Sequence, residues 1–248
     1  DQNGILDLVE SYQHASSGQE RPIRSLRTVG LAIPMIRQRM RTFQNYANSN
    51  VDNIYGPPLK KASSLTANHL GHTVFLNQGT SFTAKLLPQL SQLSPAFGIA
   101  VADFDSDGKE DLFLSQNFFA TSPGTHRYDA GRGLILKGEG NGSFSPIPHH
   151  KSGIAIYGEQ RAAAVADFNQ DGRPDLAVSQ NGAQTKLFVN ESKNQGLRIT
   201  LKGAVENQTA IGAQLRLQDA TGAGPTREIH SGAGWLSVDS PTQVLTPL

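Results

Sequence analysis

The sequence predicts an all-β chain built from β-propeller blades, and three observations predict it. An eighteen-residue stretch occurs twice, the segments around it alternate at strand period, and turn-forming residues are dense, with Gly 25 and Pro 13 in 248 residues. Residues 100–117 read AVADFDSDGKEDLFLSQN and residues 164–181 read AVADFNQDGRPDLAVSQN, identical at twelve of eighteen positions. Their offset of 64 residues is too long for a solenoid turn and fits a propeller blade that carries a loop insertion.

The first residues, DQNGILDLVESY, read as a third copy with its beginning missing: Asp1, Asn3, Gly4 and Asp7 fall on the second, third, glycine and last positions of the aspartate pattern. The chain therefore reads as opening inside a repeat, as a piece of a longer protein. The absence of an N-terminal signal segment then says nothing about compartment. Residues 25–56 break the β pattern. Leu26, Val29, Ile33, Ile36, Met40, Phe43 and Ala47 recur at mostly three- and four-residue steps, which predicts one or two helices, broken near Pro34 and packed on the sheet as an insertion. Arg37, Arg39 and Arg41 read as the solvated face of an amphipathic helix, with a polyanion patch as the alternative. Strand and hairpin patterns follow: TVFLNQGTSFTAKLL (73–87) turns at Gln78-Gly79, GLILKGEGNGSFSPI (133–147) turns around Gly140-Asn141-Gly142, and KLFVNES (186–192) is a short strand ending in a turn.

The bulk numbers exclude several classes. A formal net charge of +1 gives no reason to expect nucleic acid or an anionic membrane as partner. No run of eighteen apolar residues exists, so no membrane-inserted helix is expected. Cysteine is absent, and bound metal can supply the cross-links that disulfides would otherwise provide.

The repeated stretch carries the chemistry. Asp103, Asp105, Asp107 and Asp111 alternate around a tight turn at Gly108, which lets side chains converge while the Lys109 carbonyl turns inward. That all-oxygen cage suits Ca²⁺, a hard cation that takes six to eight oxygen ligands; Mg²⁺ tolerates such crowding less well, and Zn²⁺ wants His or Cys. The second copy offers Asp167, Asn169, Asp171, the Arg173 carbonyl and Asp175. One carboxylate has become an amide there, so weaker binding is expected at the second loop. Asp1, Asn3 and Asp7 would form an incomplete third site. An EF-hand is excluded because Leu114 and Val178 stand where its closing Glu would be. The alternative is a metal-free Asp/Asn/Gly turn, and the near-identical second copy argues against it.

DFDSDGKED and DFNQDGRPD resemble the D-x-D-x-D-G-x-x-D pattern of FG-GAP or VCBS repeats, found in the β-propellers of integrin α-subunits and secreted bacterial proteins. The resemblance covers most of residues 1–192 and implies four-stranded blades whose calcium loops tie neighbouring strands. LRITLKG, IGAQLRL and REIHSGAGWLSVDSP resemble the ASPIC/UnbV module that follows such repeats, which makes residues 196–248 a small, partial C-terminal β module. Three loops fall short of a closed propeller, so open edges would pair with missing blades, with a partner or in a homo-oligomer.

Catalytic constellations are not apparent. G-x-S-x-G is absent, His149-His150 lacks a Cys partner or H-E-x-x-H and reads as a connecting loop, and GEGNGS (138–143) has no following helix to complete a phosphate cradle. Trp235 reads as a core or module contact. In HRYDAGRG, Arg127, Tyr128 and Asp129 could form a glycan-binding rim or simply a turn. The expected function is a non-enzymatic calcium-stabilised adhesion module, secreted or on a bacterial cell surface, that binds protein or polysaccharide. The alternatives are a carbohydrate-active enzyme or its accessory module, with rim carboxylates as acid and base, and a structural assembly subunit.

Overall fold

Apolar side chains gather into separate cores in two units, residues 1–68 and 69–248. The computed structural model describes residues 6–220, 222–232, 234 and 236–247. Asp1, Asn3 and Gly4 of the incomplete loop, and Trp235, therefore lie outside the described residues.

The first unit starts with an antiparallel hairpin, β1 (Ser11–Gln13) and β2 (Glu20–Pro22). Where one or two helices are expected, four short ones form: α1 (Leu26–Ala32), α2 (Pro34–Arg39), α3 (Phe43–Asn48) and α4 (Val51–Tyr55). The reason is capping. Ser25, Thr42 and Asn50 each accept a hydrogen bond from the backbone N–H three residues on, so each starts a new helix. The break before Thr42 also resets the helical phase. Phe43 and Ala47, expected on the buried face, are exposed, and Tyr46, Val51 and Ile54 are buried instead. The core is Leu26, Val29, Ile36, Met40, Tyr46 and Ile54. Arg37 and Arg39 donate to the Arg27 and Ile54 carbonyls.

The second unit carries the blades. Strands β3 (Thr73–Asn77) and β4 (Phe82–Leu86) form the hairpin expected at Gln78-Gly79, where Gly79 adopts φ +87°. A four-stranded antiparallel sheet follows in the order of β5 (Ala96–Ala102), β6 (Asp111–Gln116), β7 (Leu134–Gly138) and β8 (Phe144–Ile147). After a single-turn helix α5 (His149–Ser152), β9 (Glu159–Ala166), β10 (Asp175–Asn181) and β11 (Ala183–Phe188) make a three-stranded sheet with β10 in the middle. These are repeated blade-like sheets of an all-β fold, and among the described residues they do not close into a propeller. His149 and His150, expected in a loop, occupy the single-turn helix.

The first strands of the two sheets lie side by side, and Gly98 allows the approach: a Cβ there would sit 2.5 Å from the Arg161 carbonyl oxygen. Ala100, Phe113, Ile135, Ile154, Ile156, Ala163, Leu176 and Val178 form the shared core. The C-terminal residues pair β12 (Leu197–Ile199) with β15 (Gln243–Leu245), and β13 (Gln214–Gln218) with β14 (Ala223–Glu228). Asp239 and Ser240 lie along the outer edge of β9, accepting from the Val165 N–H at 2.7 Å and donating to its carbonyl at 2.9 Å. That sheet edge is covered by the chain itself at this point. No described helix is long and apolar enough to cross a membrane.

Candidate metal centre

The two aspartate loops connect β5 to β6 and β9 to β10, so they leave the same ends of equivalent strands. Each is wound by two residues of positive φ, Ser106 and Gly108 in the first loop (55° and 84°), Gln170 and Gly172 in the second (61° and 80°). Their carboxylates repeat the same bonds. Asp103 accepts from the Asp107 and Gly108 amides, as Asp167 does from Asp171 and Gly172, at 2.9–3.1 Å. Asp107 accepts from the Lys109 amide and Asp171 from that of Arg173, both at 3.0 Å. The last aspartate bridges outward: Asp111 accepts from Phe104 and Gly138, and Asp175 from Phe168 and Asn190, at 2.7–2.9 Å.

In the first loop, carboxylate oxygens of Asp103, Asp105 and Asp111 lie within 4.8 Å of one another, and among the described residues this is the acidic group that converges. Like charges so close need a cation or a proton. Burial pushes the Asp111 carboxyl up to about 7; the Gly138 amide opposes this and the neighbouring Asp105 charge adds to it. Burial also raises Asp103, against the amides of Gly108 and Asp107. Asp107 points elsewhere. Burial alone would raise it too, but the Lys137 ammonium, 2.7 Å away, holds it below the usual carboxylate range. Lys137 also bonds the second oxygen of Asp105, while the first, Asp105 Oδ1, is buried with no hydrogen-bond partner. An all-oxygen donor set with a buried acceptor left unpaired fits a hard divalent cation, and Asp103, Asp105 and Asp111 would hold it.

The second loop is more nearly neutralised. Asn169 donates to Asp171, Arg173 pairs with Asp171 at 2.8 Å, and Arg198 reaches the fully buried Asp167 at 3.2 Å. Of the incomplete third site, Asp7 is described; its charge adds to the burial that raises the Tyr55 hydroxyl.

Residues outside the motif complete both loops. Asn190 donates its side-chain amide to the Phe104 carbonyl in the first loop and to the Pro174 carbonyl in the second, at 2.8 and 3.1 Å. In the sequence it stands out only as a glycosylation sequon. Asn190→Ala should lower the stability of this unit by roughly 1–3 kcal/mol in urea unfolding, because two part-buried acceptors lose their donor. An unchanged midpoint would show that the loops hold together without it. Glu110 forms a two-pronged ion pair with Arg227 of β14 at 2.7 and 2.8 Å, so the C-terminal residues reach the first loop as well.

At the opposite strand ends lies an arginine and aromatic rim. Arg127 pairs with Asp129 at 2.9 Å and lies 4.8 Å over the Phe119 ring, while the half-exposed Tyr128 bridges to Phe118 through the backbone. In these three consecutive residues, read from sequence as a rim or a turn, the two charges are turned on each other. Sequence patterns miss the neighbouring group: Arg161 sits 4.1 Å from the Phe97 ring and 5.6 Å from that of Phe118, and pairs with the buried Glu159. The turn at GEGNGS is the expected hairpin, closed by the Glu139 N–H on the Ser143 carbonyl at 3.0 Å.

Residues 118–178, from the end of β6 through the second aspartate loop, match the family model of the FG-GAP-like repeat. The chain is 25% identical over 155 residues to cartilage acidic protein 1 of Xenopus tropicalis, covering 62% of this chain and 21% of that protein. It is 26% identical over 193 residues to integrin alpha-7 of Rattus norvegicus, covering 69% and 16%, and 28% identical over 145 residues to the human protein of that name, covering 55% and 12%. The chain spans about a fifth or less of the length of these relatives.

Proposed function

We propose that this chain, which carries an FG-GAP-like repeat, is an extracellular binding module in which Ca²⁺ stiffens the aspartate loops and the opposite rim engages a protein ligand. The convergence of Asp103, Asp105 and Asp111 with one buried oxygen left unpaired carries the calcium part. Similarity to integrin alpha-7 and cartilage acidic protein 1 supports an extracellular setting. Calcium is structural in this reading. The loops sit at one end of the strands and Arg127, Tyr128, Phe119 and Arg161 at the other, so a clamp at the first end holds the strands that present the second.

The test is immobilisation of the whole chain against a panel of extracellular-matrix proteins and polysaccharides, in calcium and in chelator. Saturable binding to a protein, weakened by chelator and by Tyr128→Ala, is expected. Binding confined to polysaccharides would replace the protein ligand with a glycan, and release of reducing ends would make the chain a carbohydrate-active enzyme. Assembly through open sheet edges would instead appear as concentration-dependent self-association in light scattering.

A further inference from the structure

The two loops share a backbone but take their positive charge from different places. The register makes this explicit. Gly138 and Asn190 play the same part, each giving its N–H to the last aspartate of its loop. The residue before each is therefore equivalent, and Lys137 in the first sheet corresponds to Val189 in the second. Lys137 bonds both Asp105 and Asp107. Among the described residues the second loop has no such lysine, and Arg198, delivered by β12, pairs with Asp167.

We propose that Lys137 and Arg198 are internal counter-ions that compete with a divalent cation, one at each loop, so that filling the second loop releases Arg198 and loosens β12. The inference rests on the calcium reading above. Its physical basis is that a buried carboxylate that stays charged is stabilised by a positive partner, whether a side chain or a metal ion. At the second loop the Asp167 side chain is fully buried and Arg198 is 38% exposed, so the carboxylate is fixed while its cation has a way out to water. At the first, Lys137 and Asp105 are both about a third exposed, so the ammonium reaches water there too. A metal ion approaching Asp105 or Asp167 meets the like charge of the side chain already there, and binding is weakened until that side chain swings away. Charge balance orders the loops. The first sets four carboxylates against Lys137 and the more distant Lys109, and the second sets three against Arg173 and Arg198. The first loop should be the tighter site, in line with the charge count of the motif.

The experiment is calorimetric calcium titration of the whole chain, its Lys137→Met and Arg198→Met variants, and Arg198→Lys as the charge-keeping control. Lys137→Met should tighten the stronger site roughly fivefold and Arg198→Met the weaker one by a similar factor, with Arg198→Lys close to the parent. In chelator Arg198→Met should melt below the parent, and saturating calcium should close that gap. Hydrogen exchange at residues 197–199 should quicken when calcium fills the parent's second loop. Unchanged or weaker affinity in the two Met variants, with the parent still binding, would overturn competition and leave the calcium reading in place. No binding by the parent or any variant would end both. Should either Met variant fail to fold, Lys137→Gln and Arg198→Gln provide the same comparison.

Discussion

Phe113→Ala is expected to lower the stability of the 69–248 unit by about 3–5 kcal/mol, measured as a fall in the urea midpoint at unchanged slope. The ring is fully buried in the shared core, opposite Ala100 on one neighbouring strand and Ile135 on the other. Packing around the ring is close, and a Cβ at Gly133 would lie 3.1 Å from it, so truncation leaves a cavity. The substitution also reaches the candidate site. Asp111 lies two residues earlier on the same strand and so projects to the same face. Loosening β6 should weaken calcium binding although no ligand is removed. Phe75→Ala on the outer hairpin is the control, because Phe75 is largely exposed and its loss should cost less than about 1 kcal/mol. Equal losses in the two variants would mean that the core does not lie between these sheets.

Asp111→Ala is expected to cost roughly 2–4 kcal/mol in the presence of calcium. It strips the Phe104 and Gly138 amides of their acceptor, and each unpaired buried N–H costs about 1–3 kcal/mol. Removing a buried charge that faces Asp103 and Asp105 returns part of that loss when no metal is present. The destabilisation should therefore be larger in calcium than in chelator, and thermal melts of parent and variant under both conditions measure the difference. The same loss in both conditions would show that Asp111 serves the loop only as a hydrogen-bond acceptor.

Much of the loop geometry was legible because the chain states it twice. Alternating aspartates around Gly108 and Gly172 identify the winding, and the repeat shows that it joins successive strands. The tight hairpins at Gln78-Gly79 and Gly140-Asn141-Gly142 were likewise local enough to read. The helices were less so. Their period continues smoothly across Thr42, whose side chain caps a new helix, and a spacing pattern carries no mark of where one helix stops and the next begins. The partners of the aspartates were hidden for a different reason. The side chains of Lys137, Asn190, Arg198 and Arg227 lie between 16 and 117 residues from the carboxylates or carbonyls they meet at the loops, and only strand pairing brings them there. Lys137 did leave a trace. It is the one basic residue in the apolar run GLILKG, at a register position where the sister sheet has Val189.

In the proposed function, binding of a divalent cation by the first loop underlies the stiffening of these strands. Calcium titration of the whole chain, followed through its backbone amide resonances, tests this at residue level. The amides of Asp107, Gly108, Lys109 and Gly138 should shift together and saturate, and Asp105→Asn should move their midpoint to higher calcium. Amides that stay in place up to calcium on the order of 10 mM, beyond the range of weak extracellular sites, would contradict it.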